Sequence, residues 1–395
     1  MAGKMRSAMI FIILMGFVSL FSDIVYEGAR GVAGPFLLQL GAGAAVVAFA
    51  AGFGEFVGYV LRLFSGYLVD RTRRHWFFTL LGYSFNLFAI PLLAFVWDWK
   101  LAVFLMILER TGKAIRKPAR DSMVSYAAKQ VGPGFGFGIE EALDQIGAVT
   151  GPLLFSLILS FRSGDLIERY HFGFSILWIP ACISMALLFA GRFLFPRPLE
   201  FEKSTTGKHQ SSAKLGSKAA LYLIAVGLLA AGFVDFPLLS YHMARLDIFS
   251  SAIVPLLYSV AMGVDAASAI FFGKLYDKLG ITSLMISSAI GAFATLFVFL
   301  SDARSSMIIG VSLWGISMGA QESVMKAVIA RIIPPERRGF AYGLLNSVFG
   351  ISWFTGSFVM GLLYQNWLGT MVLLSLSLQF ASVLVMFLLK VRAEV

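Results

Sequence analysis

The chain has 395 residues, 58% of them hydrophobic and only 14% charged, with 38 phenylalanines. That balance excludes an ordinary soluble domain, and a lone cysteine, Cys182, excludes a disulfide framework. The net charge of +10 does not read as a nucleic-acid surface, because the cations cluster in short turns between apolar runs, which is how membrane orientation is encoded.

Apolar runs near 20 residues recur throughout and predict an all-α integral membrane protein of about twelve spans. Lys4 and Arg6 precede the first run, which reads as a spanning helix over about 10–40 rather than a cleaved leader. The second run covers about 46–69 and ends in GYLVDRTRRH, residues 66–75. There a helix leaves the bilayer at Asp70, and Arg71, Arg73 and Arg74 hold the turn on the cytoplasmic side. Gly66 permits close helix contact, and Asp70 is placed to face the N-terminal N–H groups of another helix. The third run ends at Trp97, Trp99 and Lys100, an interfacial belt on the opposite side. The fourth starts near Leu101 and reaches a basic segment at 113–120. Gly132, Pro133 and Gly134 break the chain before the fifth, 162–171 is expected to be a polar outer loop, and the sixth ends near Phe195. Residues 196–218 are polar, Ser/Lys-rich and aperiodic, the one clear linker. It separates a first half, 1–195, from a second, 219–395. The Lys/Arg bias puts the linker and both termini on the cytoplasmic side.

The halves repeat. GKLYDKLG at 273–280 copies the 66–75 pattern about 200 residues on, with Asp277 in the place of Asp70. Gly134–Gly138 and Arg338–Gly343 open the fifth and eleventh spans, and Thr150-Gly151 and Thr355-Gly356 follow at matching distances. One copy is what any stop-transfer turn supplies. Two copies in register predict two pseudo-symmetric six-helix bundles, the internal repeat of transporters.

A charge inside a membrane helix costs roughly 2.5–3.5 kcal/mol on insertion scales, so each needs a reason. Asp23, Glu27 and Arg30 share one face of the first helix, and Glu55, Tyr59 and Arg62 one face of the second. Glu109 and Arg110 lie about halfway along the fourth, with Lys113, Arg116 and Arg120 continuing the stripe. Glu140, Glu141 and Asp144 lie on the fifth. The second half offers Asp235, His242, Asp265, Glu322 and Lys326. Near the midplane a functional role is the default, which makes Asp23, Glu27, Glu55, Glu109, Arg110 and Asp144 the candidates for the substrate and coupling pathway. Arg116, Lys117, Arg120, Asp121 and Glu140 fall nearer the expected helix ends, where snorkelling or a structural charge network explains them. The four histidines are scattered, and no nucleotide, nucleophile-elbow or HExxH motif is present. An enzyme, a cofactor and a soft-metal site are therefore not expected, although carboxylates could hold a hard cation.

At this point the chain resembles the major facilitator superfamily over essentially its whole length. GYLVDRTRR is similar to that family's loop motif Gly-x-Leu-x-Asp-Arg-x-Gly-Arg, with Arg73 where glycine is usual. Gly147, Gly151 and Pro152 are similar to the Gly-x-x-x-Gly-Pro associated with antiporters, without the Gly-Gly that follows it there. SLFSDIVYE, LERTGKAIRKPARDS and FGIEEALDQIGAVTGPLL resemble a prokaryotic efflux-permease branch, some of whose members are linked to metal-ion or drug resistance. That branch typically has a basic pair where this chain has Glu140 and Glu141. The resemblance implies a cytoplasmic gate of Gly66, Asp70, Arg71, Arg74, Arg120, Asp121 and Asp277. In it Asp70 turns toward the helix that starts near Gly339, and Arg74 toward an acid at the end of the fourth helix. The expected function is a monomeric secondary transporter of the plasma membrane that exports a small organic or cationic solute against protons. Glu55, Asp23 and Glu27 are the expected coupling acids and Arg110 their cationic partner. Uptake of an organic anion along Arg110, Lys113 and Arg116, export of a divalent metal ion, and a non-transporting receptor or scaffold are the alternatives.

Overall fold

The computed structural model describes residues 2–131, 133–201, 217–332 and 338–394, with no side chains described at 2–4, 129, 133–138, 217, 326, 330–342 and 392–394. In chain order the helices are α1 (Ala2–Gln39), α2 (Ala44–Thr72), α3 (His75–Ala89), α4 (Trp99–Val131), α5 (Pro133–Phe161), α6 (Leu166–Ile176) and α7 (Trp178–Leu194). They continue as α8 (Ser217–Gly232), α9 (Phe236–Arg245), α10 (Ile253–Leu279), α11 (Thr282–Phe299), α12 (Arg304–Ile332), α13 (Arg338–Tyr364) and α14 (Leu368–Glu394). A hydrocarbon layer offers the backbone no partner, so these runs satisfy themselves as helices. Among the described residues, ten segments are long and apolar enough to cross a membrane, with α6–α7 and α8–α9 each counting as one passage. The charge-striped α4 and the Ser-, Gly- and Gln-diluted α12 complete twelve.

Two local expectations are corrected, and one passage is interrupted. The outer loop expected at 162–171 shrinks to 162–165, because α6 begins at Leu166, with Asp165 at its N-cap position and Glu168 in its first turn. Acids there suit the positive end of the helix dipole. The basic segment 113–120 does not end the fourth span, since α4 runs through it, Pro118 included, to Val131. Arg116 and Arg120 therefore sit inside the bundle, 2% and 5% exposed, instead of snorkelling. The seventh passage is broken at 233–235, between α8 and α9. The carbonyls freed there find side chains. Trp314 Nε1 donates to the Val234 carbonyl at 2.8 Å, and Ser375 Oγ and Gln379 Nε2 donate to that of Gly232 at 2.6 and 3.1 Å.

The chain folds as two compact units. The first comprises Met1–Val32 and Val57–Gly207, the second Ala33–Phe56 and Lys208–Val395. In the first, small residues bring helices to backbone contact. A Cβ on Gly82 would meet the Arg116 nitrogen at 2.5 Å, which ties α3 to α4, and a Cβ on Gly151 would meet the Ile24 carbonyl at 2.5 Å, which ties α5 to α1. The second unit repeats that device, because a Cβ on Gly356 of α13 would run into the Ala231 carbonyl of α8. Thr150 and Thr355 each donate back to a carbonyl four residues earlier, at 2.6 and 2.8 Å. The second unit also holds the hairpin of residues 33–56. Its Gly34 abuts Pro237 and Tyr241 of α9, and its Gly52 abuts Phe354 of α13. Of the linker, Phe201 is tied to the first unit by its ring contact with Phe11 at 5.9 Å. Residues 202–216, the 333–337 turn and the Asp70–Gly339 contact lie outside the described residues.

Candidate functional site

The first unit buries its charges together. On α1 the residues Ser19, Ser22, Asp23, Tyr26, Glu27 and Arg30 recur at helical spacing on one face, and Asp23 and Glu27 are 3% and 5% exposed. Glu109, Lys113, Arg116 and Arg120 form the matching stripe of α4, Tyr83 and Asn86 come from α3, and Glu140 and Asp144 from α5. Close α1–α5 packing at Gly147 and Gly151 makes this meeting possible. A Cβ on Gly147 would lie 2.9 Å from the Asp23 Cβ. The antiporter-type glycines thus set how near the acids of α5 come to those of α1.

Three linked groups result. In the first, Asn86 Nδ2 donates to Glu109 Oε1 at 2.6 Å, and Arg110 Nε lies 3.4 Å from Glu109 Oε2. Ser22 Oγ donates to Asn86 Oδ1 at 3.2 Å and accepts from Arg116 at 3.4 Å. Arg116 also lies over the Tyr83 ring, 4.1 Å from its centre. This path runs unbroken from Glu109 to Arg116 across α4, α3 and α1. In the second, Arg120 pairs with Glu140, which also accepts from Ser19 Oγ at 3.1 Å. A basic residue at 140 would face Arg120, so the acid found there fits its partner. In the third, the Asp23 and Asp144 carboxyls face each other between α1 and α5, with Lys113 and Glu27 in electrostatic contact with Asp23. Lys113 Nζ sits 3.6 Å from the centre of the Tyr26 ring, and Arg110 lies 5.5 Å from the same ring.

The structure thus brings Asp23, Glu27, Glu109, Arg110 and Asp144 into one unit, the first three buried and Arg110 and Asp144 half-buried. Glu55 is buried too, on the part of α2 that belongs to the second unit. The expected gate residues Asp70, Arg71, Arg74 and Asp277 are exposed at helix ends. Gly66 has room for a methyl, which would sit 3.7 Å from Pro118. Asp121 pairs with Lys117 and Arg120, both at 4.0 Å, while Arg74 borders a cavity at the end of α7. Pathway selection from sequence passed over Asn86, Tyr26 and Ser22 and kept Lys113 only for the anion alternative. The signals were there: Lys113 follows Glu109 by one turn, and Asn86 is a neutral polar group in an apolar run, a type that membrane helices use to bond across to a neighbour. In the second unit, Asp235 at the helix break accepts from Trp353 Nε1 at 3.2 Å, and His242 Nδ1 lies 2.7 Å from the Tyr364 hydroxyl. Among the described residues, no three His, Cys, Asp or Glu side chains converge as metal ligands would.

Comparison with known proteins agrees with this architecture. An uncharacterized protein of Mycobacterium tuberculosis is 36% identical over 385 residues, covering 96% of this chain and 93% of that protein. An uncharacterized MFS-type transporter of Methanocaldococcus jannaschii is 27% identical, covering 89% and 88%. Among solved structures, a peptide transporter in complex with sulfate superposes with a TM-score of 0.75 at 13% identity, over 97% of this chain and 94% of that one. A nucleoside transporter superposes with a TM-score of 0.73 at 12% identity, over 96% and 99%. A D-xylose-proton symporter does so with 0.67 at 14%, over 96% and 97%. The family model of the Major Facilitator Superfamily matches residues 7–300 and 221–395. With its charged interior, paired glycine contacts and repeated six-helix halves, this chain belongs to the Major Facilitator Superfamily of secondary transporters.

Proposed function

We propose that this transporter is a proton-coupled exporter of a small organic cation, with Asp23 and Asp144 as the coupling pair. The meeting of those two carboxyls where α5 packs on α1, with Lys113 beside them, supports this reading. A proton and a cationic solute compete for the same pair of oxygens. While the proton is shared the pair holds one negative charge, which the Lys113 ammonium offsets. When water reaches the pair from one side, the proton leaves and a second charge appears, which a cationic substrate offsets. Glu27, one turn from Asp23, and Glu109 with Arg110 extend the polar path. The pairing of a proton with another solute has a parallel in the fold, since one solved neighbour is a D-xylose-proton symporter. Both termini on the cytoplasmic side and a bacterial-type plasma membrane complete the proposal.

The test is a transport screen in proteoliposomes with an imposed pH gradient. The parent protein is expected to build a gradient of an organic cation only when protons flow the other way. Asp23→Asn cannot release the proton and should abolish gradient-driven transport while leaving substrate–substrate exchange measurable. If Asp23→Asn still concentrates substrate like the parent, the pair is structural, and Glu55→Gln is the next variant to compare. A second reading, uptake of an organic anion, is favoured by Arg110 and Lys113 converging on Tyr26. It predicts that anions accumulate in the same screen and cations do not.

A further inference from the structure

At the end of the first unit where α3 begins and α7 ends lies a cavity of about 620 Å³. Its lining includes Arg73, Arg74, Arg192 and Arg197, with Glu200 as its one acid. Glu200 lies 3.8 Å from Arg197, so it offsets part of one arginine's charge. His75 and Trp76 form the inner wall and are buried. The α7 end is held in place by Trp76 Nε1, which donates to the Phe195 carbonyl at 3.0 Å, and by Arg192, which donates to that of Pro196 at 3.1 Å. Large apolar side chains flank the arginines. Phe77 lines the cavity, and Phe193 and Leu194 follow Arg192, 81% and 65% exposed.

We propose that this cavity is a binding site for the headgroup of an anionic phospholipid, with the acyl chains lying along Phe77, Phe193 and Leu194. An ordinary orienting turn needs positive charge but neither a cavity nor a costly backbone, and this turn has both. Arg73 is held at φ +54°, in the left-handed region that a bulky side chain rarely enters. Its amide closes α2 on the Val69 carbonyl at 2.7 Å. Glycine would take that conformation without penalty, so the arginine keeps a charge where the backbone favours none. A planar guanidinium matches phosphate oxygens bidentately, and basic pockets at membrane interfaces take anionic headgroups. The exposed rings beside the arginines select an amphiphile over a free anion, because a soluble phosphate gains nothing from them.

The experiment is thermal unfolding of the full-length protein in a neutral detergent, titrated with phosphatidylglycerol, phosphatidylcholine or inorganic phosphate. Phosphatidylglycerol is expected to raise Tm saturably, and the other two are not. Arg73→Gly relaxes the backbone and should fold at least as well as the parent. It should nevertheless raise the half-saturating phosphatidylglycerol concentration about fivefold, the weight of one arginine near an anionic surface. Arg192→Gln and Arg197→Gln should each do the same, and if one of them fails to fold the other two variants decide. Equal stabilisation by phosphatidylcholine would mean that the site reads only acyl chains. Equal stabilisation by phosphate would make it a free-anion site. An unchanged half-saturation in the variants would remove the arginines from recognition, and any of these three results overturns the proposal.

Discussion

Asn86 shows how one neutral side chain organises charged neighbours. It is fully buried and donates to Glu109 while accepting from Ser22, so it links α3 to both α4 and α1. Asn86→Leu removes a 2.6 Å donor to a buried carboxylate and should lower stability by about 2 kcal/mol, read as a lower Tm in detergent. Adding Glu109→Gln should recover part of that loss, since the demand for the donor goes with the charge, and simple additivity would show that the two do not communicate. The two ion pairs near the end of α4 differ for the same reason. Glu140→Gln breaks a buried pair with Arg120 and is expected to cost about 3–5 kcal/mol. Lys117→Gln disrupts a pair whose members are 39% and 43% exposed and should cost about 0–1 kcal/mol. Equal Tm losses in the two variants would contradict this ranking.

At the scale of elements, the glycines of the two halves have unequal duties. Gly151 and Gly356 stand against the backbones of α1 and α8, where any Cβ collides with an atom that cannot rotate away. Gly151→Val should therefore destabilise by about 1–3 kcal/mol through forced helix separation, and it should also draw Asp144 from Asp23, which under the proposed function would weaken coupling. Gly273, from the repeated loop pattern, faces open space within 4 Å. Gly273→Ala is expected to be neutral or to stabilise by up to about 1 kcal/mol through helix propensity. Unfolding both variants under one protocol checks the contrast, and loss of expression with Gly273→Ala would count against it. The broken passage between α8 and α9 belongs to this scale too, since its freed carbonyls depend on Trp314, Ser375 and Gln379 from other helices.

For the whole molecule, the orientation reading gives a direct expectation. With Cys182 replaced, single cysteines placed in the 204–218 linker should react with a membrane-impermeant reagent only after the cells are opened, and labelling in intact cells would invert the topology. The number of passages, the two repeated halves and the membrane class were legible in the sequence. They follow from the length of apolar runs and from turn chemistry, which are local and imposed by the bilayer itself. The stripes of α1 and α4 were legible for the same reason, since helical spacing alone puts Asp23 with Glu27 and Glu109 with Lys113 on one face. Which stripe meets which was not. The contact of Asp23 with Asp144, the choice of Arg120 for Glu140, and the place of Asn86 between Glu109 and Ser22 join residues 20 to 121 positions apart. Such pairings depend on how near two backbones come and how the helices are rotated, quantities fixed by glycines such as Gly82, Gly147 and Gly151 acting with the neighbours they touch. Hydropathy along one strand of sequence carries the cost of burying a charge, and only the packed bundle decides which partner offsets it.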